Sequence, residues 1–204
     1  ENNNEWTKEY SELKNLLTEE EYNAARGSTL NAHYTSPMAA RSMYETLERM
    51  GFSKGNILEP SCGTGNFFGV LPESMNKSKL YGVELDSITG RIAKQLYQKA
   101  DITIDGYERT KYPDNFFDVA IGNVPFGSYS VVDGEHKYNQ ENFRIHDYFF
   151  AKTLDKVRPG GVVAFITSKG TLDKANPSVR RYLAQRAELL GAVRLPNNAF
   201  KDNA

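Results

Sequence analysis

The chain has 204 residues, 39% of them hydrophobic and 25% charged, with a formal net charge of −1. That length suits one α/β domain with a substantial core, and the near-neutral charge excludes a general electrostatic grip on phosphate backbones. The one cysteine, Cys62, excludes an internal disulfide and builds no zinc site by itself, and no apolar run or leader pattern points to a membrane, so a cytoplasmic location with no membrane partner is expected.

Taken in chain order, residues 1–30 read as a helical lead-in. Leu13, Leu16 and Leu17 share a face, and Thr18 with Glu21 has capping-box spacing ahead of Tyr22–Arg26, before Gly27-Ser28-Thr29 breaks the pattern. Residues 31–204 read as the main domain. Ser36 caps a helix with Pro37 at its first position; Met43, Tyr44, Leu47 and Met50 mark its buried side until Gly51 ends it. There follow a strand at 56–58, a helix over 66–71, a strand at 79–83, a helix over 88–97, a strand at 102–104 and a strand ending at Asn123. Residues 127–143 are polar and mixed and predict a long loop. A helix over 145–157, a strand at 162–166, a helix from Pro177 to about Leu190 and a short strand at 192–195 complete the pattern. Strands alternating with helices predict a mostly parallel, doubly wound, Rossmann-like α/β sheet covered on both faces. The chain lacks an initiator methionine and stops just after its last expected strand, which reads as a piece of a larger protein whose sheet is incomplete at the C-terminal end.

Ligands in such sheets bind beyond the carboxyl ends of strands, and two such ends carry chemistry here. Glu59-Pro60-Ser61-Cys62-Gly63-Thr64-Gly65 closes the first strand. Glycines there let backbone approach a ligand, and Glu84, ending the second strand about twenty residues on, is placed to accept ribose hydroxyls through charge-assisted bonds of about 1.5–3 kcal/mol each. A dinucleotide fingerprint would require a third glycine at position 68, which is Phe, so a mononucleoside ligand is favoured.

The second end is Asn123-Val124-Pro125-Phe126. An amine attached to an aromatic ring is a poor nucleophile because its lone pair is delocalised. Two acceptors on its hydrogens, the Asn123 side-chain oxygen and the Val124 carbonyl, would localise that pair. Pro125 biases Val124 to an extended conformation that aims the carbonyl. Phe126 offers a stacking face, worth about 1–3 kcal/mol per base, for a nucleotide extruded from its helix. No metal is demanded. The two ends together predict methyl transfer from S-adenosyl-L-methionine to an amino nitrogen, foremost N6 of adenine in DNA.

At these residues the chain resembles the amino-group DNA methyltransferases, in the N6-adenine branch with an Asn/Asp-Pro-Pro-Tyr/Phe motif. It is most similar to modification subunits of type I restriction systems and to the methylase regions of helicase–methylase proteins carried on mobile elements. The resemblance covers roughly residues 31–200. It implies that His33-Tyr34-Thr35-Ser36-Pro37 caps the methionine part of the cofactor, with Tyr34 and Thr35 as candidates. It further implies that Glu59, Ser61, Gly63 and Gly65 form the cofactor loop, that Glu84 holds the ribose, and that an acid after the third strand, Asp105 or its rival Glu108, holds the cofactor's adenine amino group. Asn123 through Phe126 match the catalytic element with Val124 in place of its first proline, a departure implying some loss of rigidity. Target recognition, by the same resemblance, comes from a missing C-terminal region or another subunit, with a fused helicase as a further possible partner. Rival readings are a transferase for protein glutamine or an RNA amino group, and a non-catalytic module of this fold within a helicase protein.

Other residues carry less. Cys62 reads as a small loop residue, and His146-Asp147 as a helix cap. Lys169, Lys174, Arg180, Arg181 and Arg186 form a basic cluster suited to a DNA channel or a solvated helix face. The 127–143 loop, with Tyr129, His136, Lys137 and Tyr138, follows the catalytic element and is placed to cover an extruded base.

Overall fold

A computed structural model describes residues 6–23, 35–139 and 143–196. Five parallel strands form one sheet: β1 (Asn56–Glu59), β2 (Lys79–Glu84), β3 (Asp101–Ile104), β4 (Phe117–Asn123) and β5 (Val157–Ile166), in the order β3-β2-β1-β4-β5. The order reverses between β1 and β4, so the crevice at their carboxyl ends is the position where doubly wound sheets bind ligands. The registers Ile57 to Val119 and Leu58 to Ala120 bring Glu59 and the end of β4 to the same edge.

Both faces are covered, as a parallel sheet requires. On one side α2 (Pro37–Arg49) lays Ala40, Tyr44 and Leu47 over Ile57, Val119 and Ile121, with Phe67 and Met75 alongside. On the other, α4 (Ile145–Lys156) packs Tyr148, Phe149 and Ala151 over Leu58, Phe117 and Ala120. Alternate residues of β1 and β4 therefore feed opposite cores. α3 (Ser87–Leu96) covers β2 and β3, with Asp86 capping it by accepting from Ile88 N–H (3.3 Å) and Thr89 N–H (3.2 Å). Ahead of the sheet, α1 (Thr7–Leu16) buries none of its residues. The Thr18–Glu21 capping box forms reciprocally, Thr18 N–H donating to Glu21 Oε2 (3.0 Å) and Glu21 N–H to Thr18 Oγ1 (3.2 Å). The expected break at Gly27-Ser28-Thr29 lies outside the described residues.

Several expectations are corrected. The helix expected over 66–71 is a 3-10 turn at Phe68–Val70, because Gly65 and Pro72 leave too few residues for α-helical turns. Met50, expected on the buried face of α2, is 48% exposed at the helix end. β5 starts at Val157 rather than 162: Val157 pairs with Phe117 and Val162 with Val119, so the Pro159-Gly160-Gly161 segment bulges out between them, with Gly160 at φ +76°. After the short helix α5 (Gly170–Asp173), α6 runs only over Ser178–Ala184. The segment 191–196 is not a strand, and Leu189, Leu190 and Val193 are exposed, with nothing among the described residues to pack on. In the 127–143 stretch expected as a loop, a 3-10 turn at His136–Tyr138 buries Tyr138, and Asp133 is also buried; residues 140–142 lie outside the described residues.

Candidate active site

The glycine turn is built on β1 and pinned to β2. Cys62 N–H donates to Val83 O (2.9 Å) and Gly65 N–H to Cys62 O (2.8 Å). Gly63 (φ +56°) and Gly65 (φ +86°) both lie in the left-handed region that favours glycine. They serve different ends. A Cβ on Gly65 would sit 2.4 Å from the Tyr97 ring, so close packing requires its absence. A Cβ on Gly63 would meet no described atom within 4 Å, so this residue offers bare backbone to open space. Ser61 is half-buried, and Cys62 is buried with its thiol pushed up by desolvation, which fits a packed loop residue and no nucleophile.

Glu84 closes the turn from the next strand. Its Oε2 accepts from Gly63 N–H and its Oε1 from Asp86 N–H, both at 2.8 Å. Burial raises the Glu84 carboxyl, while the backbone donors of Asp86 and Gly63 oppose the rise. Its oxygens retain lone pairs beyond these bonds. Asp105 stands one strand over, its N–H on Glu84 O (2.9 Å). Arg109 grips the Asp105 carboxylate and also bonds Glu108 Oε1 (2.8 Å), so both rival acids share one guanidinium. That contact holds the Asp105 carboxyl below its usual range.

Behind the turn lies a pair that sequence reasoning divided. Glu59 is 2% exposed, and its Oε2 has no hydrogen-bond partner; Tyr44, read only as core, is fully buried with its hydroxyl also unpartnered. Burial and then the Glu84 charge push the Glu59 carboxyl well above the usual range, and burial with the Glu59 charge raises the Tyr44 phenol. Gly122 lets Glu59 lie against β4, since a Cβ there would stand 3.3 Å from Glu59 Cγ. The acid thus sits one residue away from Asn123. A tyrosine within a stripe of Ala, Met and Leu was the available signal for Tyr44.

Asn123 ends β4 half-buried, in register with Ile166 of β5. Val124 is 1% exposed, and its N–H donates to Ile166 O (3.1 Å). A proline has no N–H to give, so Val124 makes a bond to β5 that a proline at this position could not make. Pro125 and Phe126 follow, both half-buried. Thr35 is buried just ahead of Ser36, whose Oγ accepts from Ala39 N–H (3.3 Å); Tyr34 lies outside the described residues. The structure therefore brings Glu59, Ser61, Gly63, Gly65, Glu84 and Asp105 to the carboxyl ends of β1 to β3, beside Asn123–Phe126 on β4.

One expectation fails nearby. His146 and Asp147 do not cap α4: Arg144 holds the cap position and no side chain caps the helix. Both are buried, with His146 Nε2 3.6 Å from Asp147 Oδ1, because both turn inward toward residues 170–174. In the basic cluster Lys169 and Arg181 are exposed, as a solvated face requires, and three members have internal partners. Lys174 pairs with Asp147, Arg180 donates to the Leu172 and Lys174 carbonyls, and Arg186 lies 3.5 Å over the Tyr182 ring. Among the described residues no cluster suits a metal ion, and no helix is long and apolar enough to cross a membrane.

This fold, with a glycine turn after β1 and an acid ending β2, is that of S-adenosylmethionine-dependent methyltransferases. Two solved structures agree with it in fold. A protein from Listeria monocytogenes, described as a class I S-adenosylmethionine-dependent methyltransferase, superposes with a TM-score of 0.70 at 19% identity, over 84% of this chain and 58% of its own. A chain described as a modification subunit of a type I restriction enzyme from Vibrio vulnificus gives 0.60 at 18% identity, over 76% of this chain and 38% of its own. The family model for N-6 DNA Methylase matches residues 18–204, and the chain belongs to that family. Defense against restriction protein B of Escherichia phage P1 is 32% identical over 180 residues, covering 87% of this chain and 8% of the phage protein. The type I restriction enzyme MjaIX methylase subunit of Methanocaldococcus jannaschii is 23% identical over 82% of this chain and 34% of its own length. The chain thus spans a minor part of both relatives. S-adenosyl-L-methionine is the expected cofactor.

Proposed function

We propose that the chain transfers a methyl group to N6 of adenine in DNA, acting on a base turned out of its helix. The observation that carries this reading is the placement of Asn123 and Val124 at the switch point of the sheet, next to the glycine turn. The residues present fit the cofactor. Glu59, with an orphaned buried oxygen, suits an ammonium group; the bare Gly63 backbone admits a close neighbour; Glu84 suits ribose hydroxyls; Asp105 is the candidate for the adenine amine, with Ser61, Gly65 and Thr35 shaping the wall. When bound, S-adenosylmethionine supplies an electrophilic methyl group that leaves sulfur as the acceptor nitrogen bonds to it and sheds a proton.

The chain's own contribution is to the acceptor. Asn123 Oδ1 and the Val124 carbonyl accept from the two N–H groups of the exocyclic amine, localising its lone pair. Pro125 biases Val124 to the extended conformation that aims this carbonyl, and the Val124 N–H bond to Ile166 O anchors the preceding peptide to β5. Phe126 provides the stacking face that compensates the lost base stacking. DNA is the proposed partner, with target recognition supplied by further segments or another subunit. Similarity to a type I restriction enzyme methylase subunit, within the N-6 DNA Methylase family, supports this choice.

The test offers the protein labelled S-adenosylmethionine together with unmethylated DNA, RNA or total protein, and identifies the product by mass spectrometry. N6-methyldeoxyadenosine is expected from the DNA arm. Label found only in RNA or on glutamine would contradict the acceptor, and no label in any arm would favour a scaffold role.

A further inference from the structure

Among the described residues, one group of buried polar side chains stands outside the cofactor turn and has no structural use. His146 is 2% exposed, and neither ring nitrogen has a hydrogen-bond partner. Asp147 beside it is fully buried; Lys174 holds its Oδ2, while its Oδ1 is unpartnered and stands 3.6 Å from His146 Nε2, too far to bond. Native proteins pair nearly all such atoms, so an unpaired trio in one place calls for a function.

Its position says which. Ile145 N–H donates to Tyr129 O (2.8 Å), which ties the start of α4 to the chain three residues beyond Phe126. From the other side Gly170 lies on the imidazole; a Cβ there would be 3.5 Å from Nε2. Gly170 is four residues beyond Ile166, the residue whose carbonyl takes the Val124 N–H. His146 therefore sits between the two segments that leave β4 and β5 on the acceptor side of the crevice, away from the glycine turn.

We infer that His146 is an acceptor-side residue, its imidazole hydrogen-bonding the extruded base or its sugar once substrate parts the segments over it, with Asp147 and Lys174 as positioning residues. Desolvation holds the imidazole below its usual pKa, against the pull of Asp147, and Lys174 and Arg144 add to the lowering. A neutral ring carries one donor and one acceptor, which suits a nucleotide edge better than a cation would. The inference rests on the acceptor reading proposed above.

The test compares wild type, His146→Phe and His146→Gln for melting temperature without ligand, cofactor affinity, and kcat and KM with unmethylated DNA. Phe removes two unpaired nitrogens, so the melting temperature should hold or rise and cofactor affinity should stay unchanged. With DNA, kcat/KM should fall about tenfold or more, the worth of one lost hydrogen bond to a substrate, and Gln should recover part of it. A Phe variant as active as wild type overturns the inference and leaves the ring as packing. Should the Phe variant fail to fold, wild type decides: only three histidines crowd the imidazole nitrogen spectrum. Adding DNA with S-adenosylhomocysteine should shift the His146 signals, and unchanged signals under saturating DNA overturn the inference. A wild type that transfers no methyl to DNA counts against the acceptor reading itself.

Discussion

Glu59 and Val124 show how single residues carry this site. Both Glu59 Oε2 and the Tyr44 hydroxyl are desolvated and unpartnered, an arrangement that leaves about 1–3 kcal/mol per atom unrecovered. Because the folded carboxyl titrates well above its usual range, the native state holds a proton the unfolded chain has lost. Stability therefore falls as pH rises from the unfolded carboxyl's value, and the penalty saturates above the folded one. Glu59→Gln should raise the ligand-free stability by about 1–3 kcal/mol at high pH, with the gain vanishing near the unfolded value. Its affinity for the cofactor should drop at the same time. Thermal melts across pH, paired with calorimetry, check both; a gain that grows toward acid would contradict the assignment. The Val124 hydrogen bond belongs to the same scale, since valine in place of proline brings a backbone donor that bonds Ile166 O.

Among the elements, α4 and the stretch after the catalytic motif form one unit. Lys152, fully buried, donates to Asp133 Oδ2 (2.9 Å) and to the Tyr107 and Thr110 carbonyls (2.9 and 3.2 Å), and the Tyr148 hydroxyl also bonds Asp133. Lys156 bonds Asp114 and Glu135, and Tyr138 bonds Asp155 (2.8 Å). The far half of the 127–139 stretch is thus fastened to the helix, Asp133, Glu135 and Tyr138 each bonding residues on it. Lys152→Met would leave the Asp133 charge buried without its cation, and should destabilise the protein by about 3–5 kcal/mol. Denaturant melts measure this, and a loss below about 1 kcal/mol would contradict it. None of this was legible from periodicity. A helix that buries His146, Asp147, Lys152, Thr153 and Lys156 along with its aromatics carries polar residues at core positions. Sequence reasoning assigns those to solvent or to caps. The strands were legible because each is a short apolar run bounded by turn residues, as Phe117–Gly122 is before Asn123-Val124-Pro125. The end of α6 and the 192–195 segment were misread because a local pattern does not fix pairing: Leu189 and Leu190 are exposed, and Leu195 packs on the core without its segment joining the sheet.

For the molecule as a whole, the parallel class of the sheet followed from the alternation of strands and helices, while the order β3-β2-β1-β4-β5 came only from the structure. That order matters most, because it puts β1 beside β4 and so brings the glycine turn against the Asn123 end. In the basic cluster Lys174, Arg180 and Arg186 have internal partners, and the chain's charge of −1 gives no general electrostatic grip on DNA. The long phage and archaeal relatives, of which the chain spans 8% and 34%, have ample further length for it. Under the proposed function, recognition of DNA and transfer of the methyl group are separable tasks, and the transfer would rest on a pair of hydrogen-bond acceptors. Asn123→Ala tests that pair most directly, by S-adenosylmethionine calorimetry alongside methyl incorporation into DNA. The account predicts cofactor affinity within about twofold of wild type and turnover lowered by about a hundredfold or more, the pattern of an interaction made in the transition state. Turnover that survives the substitution would contradict it.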